Sequence, residues 1–142
     1  MMKSKIVSTV ALVLALVMCI SPLASAAVYS SDYISFSGAS ISKVSSGTVK
    51  IRFDVTGKSR VNEAGAKKIV VYESPDDSTW TAKKTFYSST TSGMITYGVM
   101  NVSSSITYTG RSGYYYYAEV TVYAGTDGTG DTDLHVTSSV RA

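Results

Sequence analysis

The chain has 142 residues, with 13 Lys and Arg against 10 Asp and Glu, one His, one Cys and 11 Tyr. Two of the lysines, Lys3 and Lys5, precede an N-terminal apolar run, so the remainder is nearly neutral and presents no basic field for nucleic acid. The single cysteine, Cys19, lies in that run, which excludes a disulfide framework and a Cys-based metal site downstream.

The apolar run "IVSTVALVLALVMCI" spans 15 residues, short of the roughly 20 that a membrane-spanning helix needs. With Lys3 and Lys5 before it and Ala24-Ser25-Ala26 after it, the segment reads as an export signal, residues 1–26, cleaved after Ala26. Met18 is too large for the small residue that lipoprotein processing needs before Cys19. The expected product is a single domain, residues 27–142, secreted or associated with the cell wall, with no stable membrane insertion. Its 11 basic and 10 acidic residues nearly balance.

"DYISFSGAS" opens the domain with a strand carrying Ile34 and Phe36. In "VKIRFDVTG" the residues Val49, Ile51, Phe53 and Val55 alternate with polar ones, the pattern of a strand with one buried face; Ile51 and Phe53 are expected core residues. "SRVNEAGAKK" has a helical flavour that Gly65 limits to a turn. "KKIVVYES" is a continuous β-branched run suited to a central strand, and "SPDDS" supplies a turn into "STWTAKKTFYS", its return strand. "SSTTSG" is a loop, "SSSITYTG" a short strand, "GTDGTGD" a glycine-rich hairpin loop and "TDLHVTSSV" the closing strand. About seven strands separated by short turns favour an all-β antiparallel sandwich of immunoglobulin or fibronectin type III kind.

Between the last two turns lies "GYYYYAEVTVYAG", residues 113–125. In a strand its side chains divide into two sets. Tyr114, Tyr116, Ala118, Val120 and Val122 continue into apolar residues and are assigned to the core, with Tyr116, Val120 and Val122 structural. Tyr115, Tyr117, Glu119, Thr121 and Tyr123 form the wetter set. Rings offer large rigid area and a hydroxyl, so Tyr115, Tyr117, Tyr123 and Trp80 are the candidate binding residues for an extracellular glycan or protein.

The succession "VKIRFDVTG…NEAGAKKIVVYES…STW…KTF…ITYTG…GYYYYAEVTVYAGTDGTGDT" resembles a family of small secreted proteins of clostridia-like Gram-positive bacteria. That resemblance spans nearly all of residues 27–142 and implies export and a sandwich-like domain, with no activity attached. It also places Tyr116 where tyrosines of immunoglobulin-type sandwiches commonly bond a backbone group at a corner.

Catalytic chemistry finds little support. His135 has Asp133 two residues away on the same side of a strand, but no serine stands in a nucleophile-elbow context. Glu63, Glu73 and Glu119 are scattered over a turn and two strands rather than paired. Asp127, Asp131 and Asp133 surround two glycines without calcium-loop spacing, and Asp and Gly are what a tight hairpin needs in any case. Lys67–Lys68 and Lys83–Lys84 read as edge protection. The expectation is a non-enzymatic binding domain without cofactor or metal; a self-associating structural protein using β-edge addition and a small hydrolase are the alternatives.

Overall fold

A computed structural model of the protein describes residues 31–142; the expected signal segment with Cys19 and Ala26 lies outside them. The described residues form seven strands and no helix: β1 (Ile34–Ser45), β2 (Thr48–Ser74), β3 (Thr81–Tyr87), β4 (Ile95–Thr109), β5 (Tyr115–Thr126), β6 (Thr129–Val136) and β7 (Val140–Arg141). Every pairing is antiparallel, and all seven strands belong to one sheet curled into a half-barrel. The described residues are thus all-β and antiparallel.

The curl follows from β2. Its 27 residues would reach roughly 90 Å if straight, at about 3.3 Å per residue, whereas a domain of this size has a radius of gyration near 13 Å. The strand must bend, and it does so at Gly57–Arg60. There the register against β4 passes from Thr56↔Asn101 to Val61↔Val99, leaving three extra residues on β2. Such a bulge breaks the ladder locally and turns the strand. A Cβ at Gly57 would lie 2.6 Å from the Ser59 carbonyl oxygen, so the bend requires glycine.

The bend divides the sheet into two wings that share β2. In the first wing β2 lies between β1 and β4; in the second it lies between β5 and β3, with β6 outside β5. The inward residues of both wings make one core. Val49, Ile51, Phe53 and Val55 come from the first, and Ile69, Val71, Tyr116, Ala118, Val120, Val122 and Ala124 from the second, all fully buried. Burying one such Val, Ile or Phe side chain stabilises by about 1.5–3 kcal/mol. Met94, from the β3–β4 loop, fills the core between the wings. Its carbonyl accepts the Ala66 amide at 2.8 Å and sits where a Cβ on Gly65 would project. Gly65, at φ +144°, is therefore obligatory.

Several local readings of the sequence are corrected. "SRVNEAGAKK" contains no helical turn; it is the bulge and middle of β2. From Glu63 to Gly65 that strand is paired on both edges, so the ladder rather than local propensity decides. "VKIRFDVTG" and "KKIVVYES" are not separate strands but the two ends of β2. The strand read in "SSSITYTG" begins earlier, at Ile95, because Gly98 (φ +65°) interrupts the apolar pattern without ending the pairing. Phe36 is 61% exposed while Ile34 is buried, because a register shift between them breaks the two-residue alternation.

Turn chemistry follows residue type. Asp127 and Gly128, at φ +52° and +79°, join Thr126 to Thr129 in a two-residue hairpin with both central residues left-handed. In the β2–β3 connection Asp76 Oδ1 accepts the Ser78 and Thr79 amides at 3.0 and 2.8 Å, and buried Ser74 accepts the Asp76 amide. The Thr79 amide first, then the Ser74 hydroxyl and the Ser78 amide, hold the Asp76 carboxyl below its ordinary range.

The half-barrel closes along a seam where β1 approaches β6 without a backbone ladder. Side chains bridge it. Asp131 Oδ2 accepts Ser31 Oγ at 2.7 Å and the Tyr33 amide at 2.8 Å, and Ser37 Oγ donates to Asp133 Oδ2 at 2.7 Å. The bond from Ser31 and then the Tyr33 amide depress the Asp131 pKa.

Candidate binding face

The two wings differ on their outer faces. On the first, β2 presents Lys50, Arg52 and Asp54 beside Ser103, Ser105 and Thr107 of β4, a polar surface interrupted at its β1 edge by exposed Phe36. Arg52 pairs with Asp54 at 3.1 Å and donates to Ser103 Oγ at 2.9 Å. A shallow depression of about 180 Å³ lies over Lys50, Arg52 and Ser103–Ser105.

The second wing is aromatic and apolar outside. Cross-strand partners share a face, and Tyr117 stands opposite Tyr72, Glu119 opposite Val70 and Val136, and Thr121 opposite Lys68 and Leu134. The Tyr72 and Tyr117 rings stack at 4.6 Å and 6°, and Trp80 from the β2–β3 loop meets Tyr117 at 4.7 Å, nearly perpendicular. Tyr72 donates to Glu119 Oε2 at 3.2 Å. Burial first, then the Glu119 charge, raises the pKa of both tyrosines, so both are neutral donors at physiological pH. Beside this cluster Leu134 is 58% and Val136 61% exposed.

Of the four candidate binding residues, Tyr117 and Trp80 come together and the other two stand apart. Tyr115 lies nearer the start of β5, beneath the Arg141 guanidinium at 5.8 Å. Tyr123 is occupied structurally. Its ring covers Gly125 and Gly130, where any Cβ would collide with it, and Lys67 Nζ sits 4.4 Å from its centroid. That ring shields the bare backbone of the β5–β6 hairpin. Beside it Asn62, Glu63, Asp127 and Gly128 line a depression of about 210 Å³. Tyr72, Leu134 and Val136 were missed as site residues. Their signal was the pairing, which only the register shows.

Tyr116 points the other way and is fully buried. Its hydroxyl accepts the Arg111 amide at 2.6 Å and donates to Glu73 Oε2 at 2.6 Å. Glu73, only 5% exposed, also has Lys83 Nζ at 3.6 Å and Arg111 Nε at 3.8 Å. Burial, then the bond to Glu73, pushes the Tyr116 pKa up to about 12. The hydroxyl lies where a Cβ on Gly110 would project, so a glycine must stand there. Strand parity places Glu73 on the inward face with Ile69 and Val71, but its partners Tyr116, Lys83 and Arg111 come from distant segments and were not legible in the sequence.

The remaining chemical candidates are absorbed by the fold. His135 Nε2 contacts Ser37 Oγ at 2.8 Å and Asp133 Oδ2 at 3.2 Å, so nucleophile and carboxylate compete for one nitrogen. A catalytic triad places them on opposite nitrogens. Asp127 accepts Asn62 Nδ2 at 2.9 Å at the hairpin tip, while Asp131 and Asp133 face the seam. No group of three or more His, Cys, Asp or Glu able to hold a metal ion occurs among the described residues.

No family model, curated protein or solved structure matches this chain.

Proposed function

We propose that the protein is a secreted, non-enzymatic binding domain that engages its ligand through the outer face of the β3–β2–β5–β6 wing. The observation that carries the reading is the contrast between the wings: one outer face is mainly polar, with Phe36 exposed at its β1 edge, whereas the other sets exposed Leu134 and Val136 beside the Tyr72–Tyr117–Trp80 cluster. Contiguous exposed apolar surface with a polar surround marks interaction sites. Tyr and Trp contribute rigid area and hydroxyl or amine groups with little entropy to lose.

Between glycan and protein, the geometry favours protein. A sugar ring stacks on an open aromatic face, but Tyr117 gives one face to Tyr72 and packs against Trp80. Ring edges, hydroxyls and two aliphatic side chains suit a protein surface better. Export is supported by the N-terminal sequence, and an immunoglobulin or fibronectin type III relationship by two wings facing across one core and by the Tyr116 hydroxyl bonded to the backbone five residues upstream.

The test is retention of cell-surface and secreted proteins of the source organism on immobilised protein, in parallel with a glycan array. The wild type and a Lys50→Ser variant should retain the same protein species, and the double variant Leu134→Ser, Val136→Ser should lose it. Glycan binding that survives the double variant would refute both ligand class and face.

A further inference from the structure

We infer that β4 is a self-recognition edge, through which two copies of this chain pair antiparallel about a two-fold axis. A strand edge left open displays unpaired amides and carbonyls, and proteins usually blunt such edges with charge, proline, bulges or a covering element. The edges of this sheet can be compared one by one. β3 carries Lys83 and Lys84. β1 and β6 cover one another along the seam, bridged by Ser31, Ser37, Asp131 and Asp133. β7 is two residues long.

β4 has none of these devices over its regular part. Among the described residues it pairs with β2 alone and approaches no other strand. From Asn101 to Thr109 it makes nine consecutive register pairs with β2 without a shift, so this stretch is continuous and unbulged. The whole of β4, Ile95–Thr109, contains no charged residue and no proline. Its outward residues Asn101, Ser103, Ser105, Thr107 and Thr109 are small, polar and exposed. Only its first part is guarded, where Arg60 donates to the Gly98 carbonyl at 2.7 Å.

The occupant follows from the charges. In an antiparallel β4–β4′ pair, uncharged Asn, Ser and Thr side chains oppose one another, and hydroxyl pairs of this kind are favourable across strands. Arg60 lies outside the regular stretch, at Gly98, and along that stretch the nearest cations, Lys50 and Arg52, stand one strand inward on β2. Their counterparts would be three strand spacings away, roughly 14 Å, beyond the screening length of about 8–10 Å at moderate salt. Along Asn101–Thr109 a second copy therefore meets no repulsion, and this stretch carries no charge with which to select a different strand. An isologous pair uses this edge once on each copy and closes as a dimer. The face bearing Tyr117 and Leu134 stays free on both, so this inference stands independently of the ligand proposed above.

Sedimentation of the full secreted chain over a roughly hundredfold range of concentration provides the test. The wild type should pass from monomer to dimer and no further. The double variant Ser103→Lys, Thr107→Lys sets like charges opposite one another, because position 103 of one copy meets position 107 of the other about an axis at Ser105, while position 103 faces Asp54 within its own sheet. It should weaken dimerisation at least about tenfold with an unchanged circular dichroism spectrum. An Ala82→Lys variant on the β3 edge should dimerise as the wild type does. Independently of any variant, the amides of Asn101–Thr109 that face away from β2 should exchange more slowly with solvent as concentration rises. A wild type monomeric throughout, growth beyond dimer, an unaffected double variant, or concentration-independent exchange at these amides would each overturn the inference.

Discussion

Replacing Tyr116 with Phe removes one oxygen and leaves the packed ring in place, which isolates the polar corner from the core. That oxygen donates to the buried Glu73 carboxylate and accepts the Arg111 amide, each at 2.6 Å. A hydrogen bond to a charged group contributes about 1.5–3 kcal/mol, and a stranded donor adds to the loss. Glu73 keeps Lys83 and Arg111 nearby, which softens the effect. We expect Tyr116→Phe to cost about 2–3 kcal/mol in urea unfolding at pH 7 followed by circular dichroism. The pH dependence supplies the sharper check. In the unfolded chain the phenol ionises near pH 10, but in the fold only near about 12. Between these values the unfolded state has lost a proton that the native state retains, so the Tyr116 contribution is whole below pH 10 and declines as pH rises toward 12. The hydroxyl is buried, but the Arg111 and Lys83 charges that share its Glu73 partner are open to water, so we expect about 1–2 kcal/mol of decline rather than the full value of a two-unit shift. The stability gap between wild type and Tyr116→Phe should therefore narrow over this window. A gap below about 0.5 kcal/mol at pH 7, or one constant to pH 12, would refute the proposed corner.

The rings on the two faces of β5 should separate cleanly. Tyr116→Ala leaves a cavity as well as the polar loss and should cost roughly 3–5 kcal/mol, whereas Tyr115→Ser with Tyr117→Ser should cost about 1–2 kcal/mol, chiefly the Tyr72 and Trp80 contacts. Urea melts in the opposite order would contradict the assignment of faces. At Gly65, substitution by Ala forces a Cβ into the Met94 carbonyl; the variant should lose about 3 kcal/mol or more, and a wild-type melting temperature would show that β2 does not approach the Met94 carbonyl as described.

Alternation was the legible part of this fold. Val49 to Val55 and the run after Tyr114 announce which side of each strand meets the core, because side-chain parity is local and fixed by the pleat. Antiparallel class follows from the turn signals, since Asp-Gly and Ser-Pro-Asp-Asp impose their own geometry; the count of seven coincides because two expected strands merge in β2 while β7 is added. The long β2 was hidden because the bulge at Gly57–Arg60 looks, in one dimension, like a loop between two strands. The site was only half visible for a related reason. Tyr117 and Trp80 stand out by residue type, but their meeting with Tyr72, Leu134 and Val136 depends on cross-strand register, which no single strand encodes. Tyr123 misleads in the same way, since nothing local shows that its ring lies over Gly125 and Gly130.

The proposed function rests on which face of the sheet meets the ligand, and photo-cross-linking addresses that directly. A photoreactive aromatic residue placed at Val136 samples the apolar wing, and the same residue at Arg52 samples the polar one. Each is irradiated in the presence of cell-surface and secreted proteins from the source organism. A discrete adduct from position 136, absent from position 52 and abolished by Tyr117→Ser, is the expected result. An adduct formed from position 52 alone, or equally from both, would show that the aromatic wing is not the binding face.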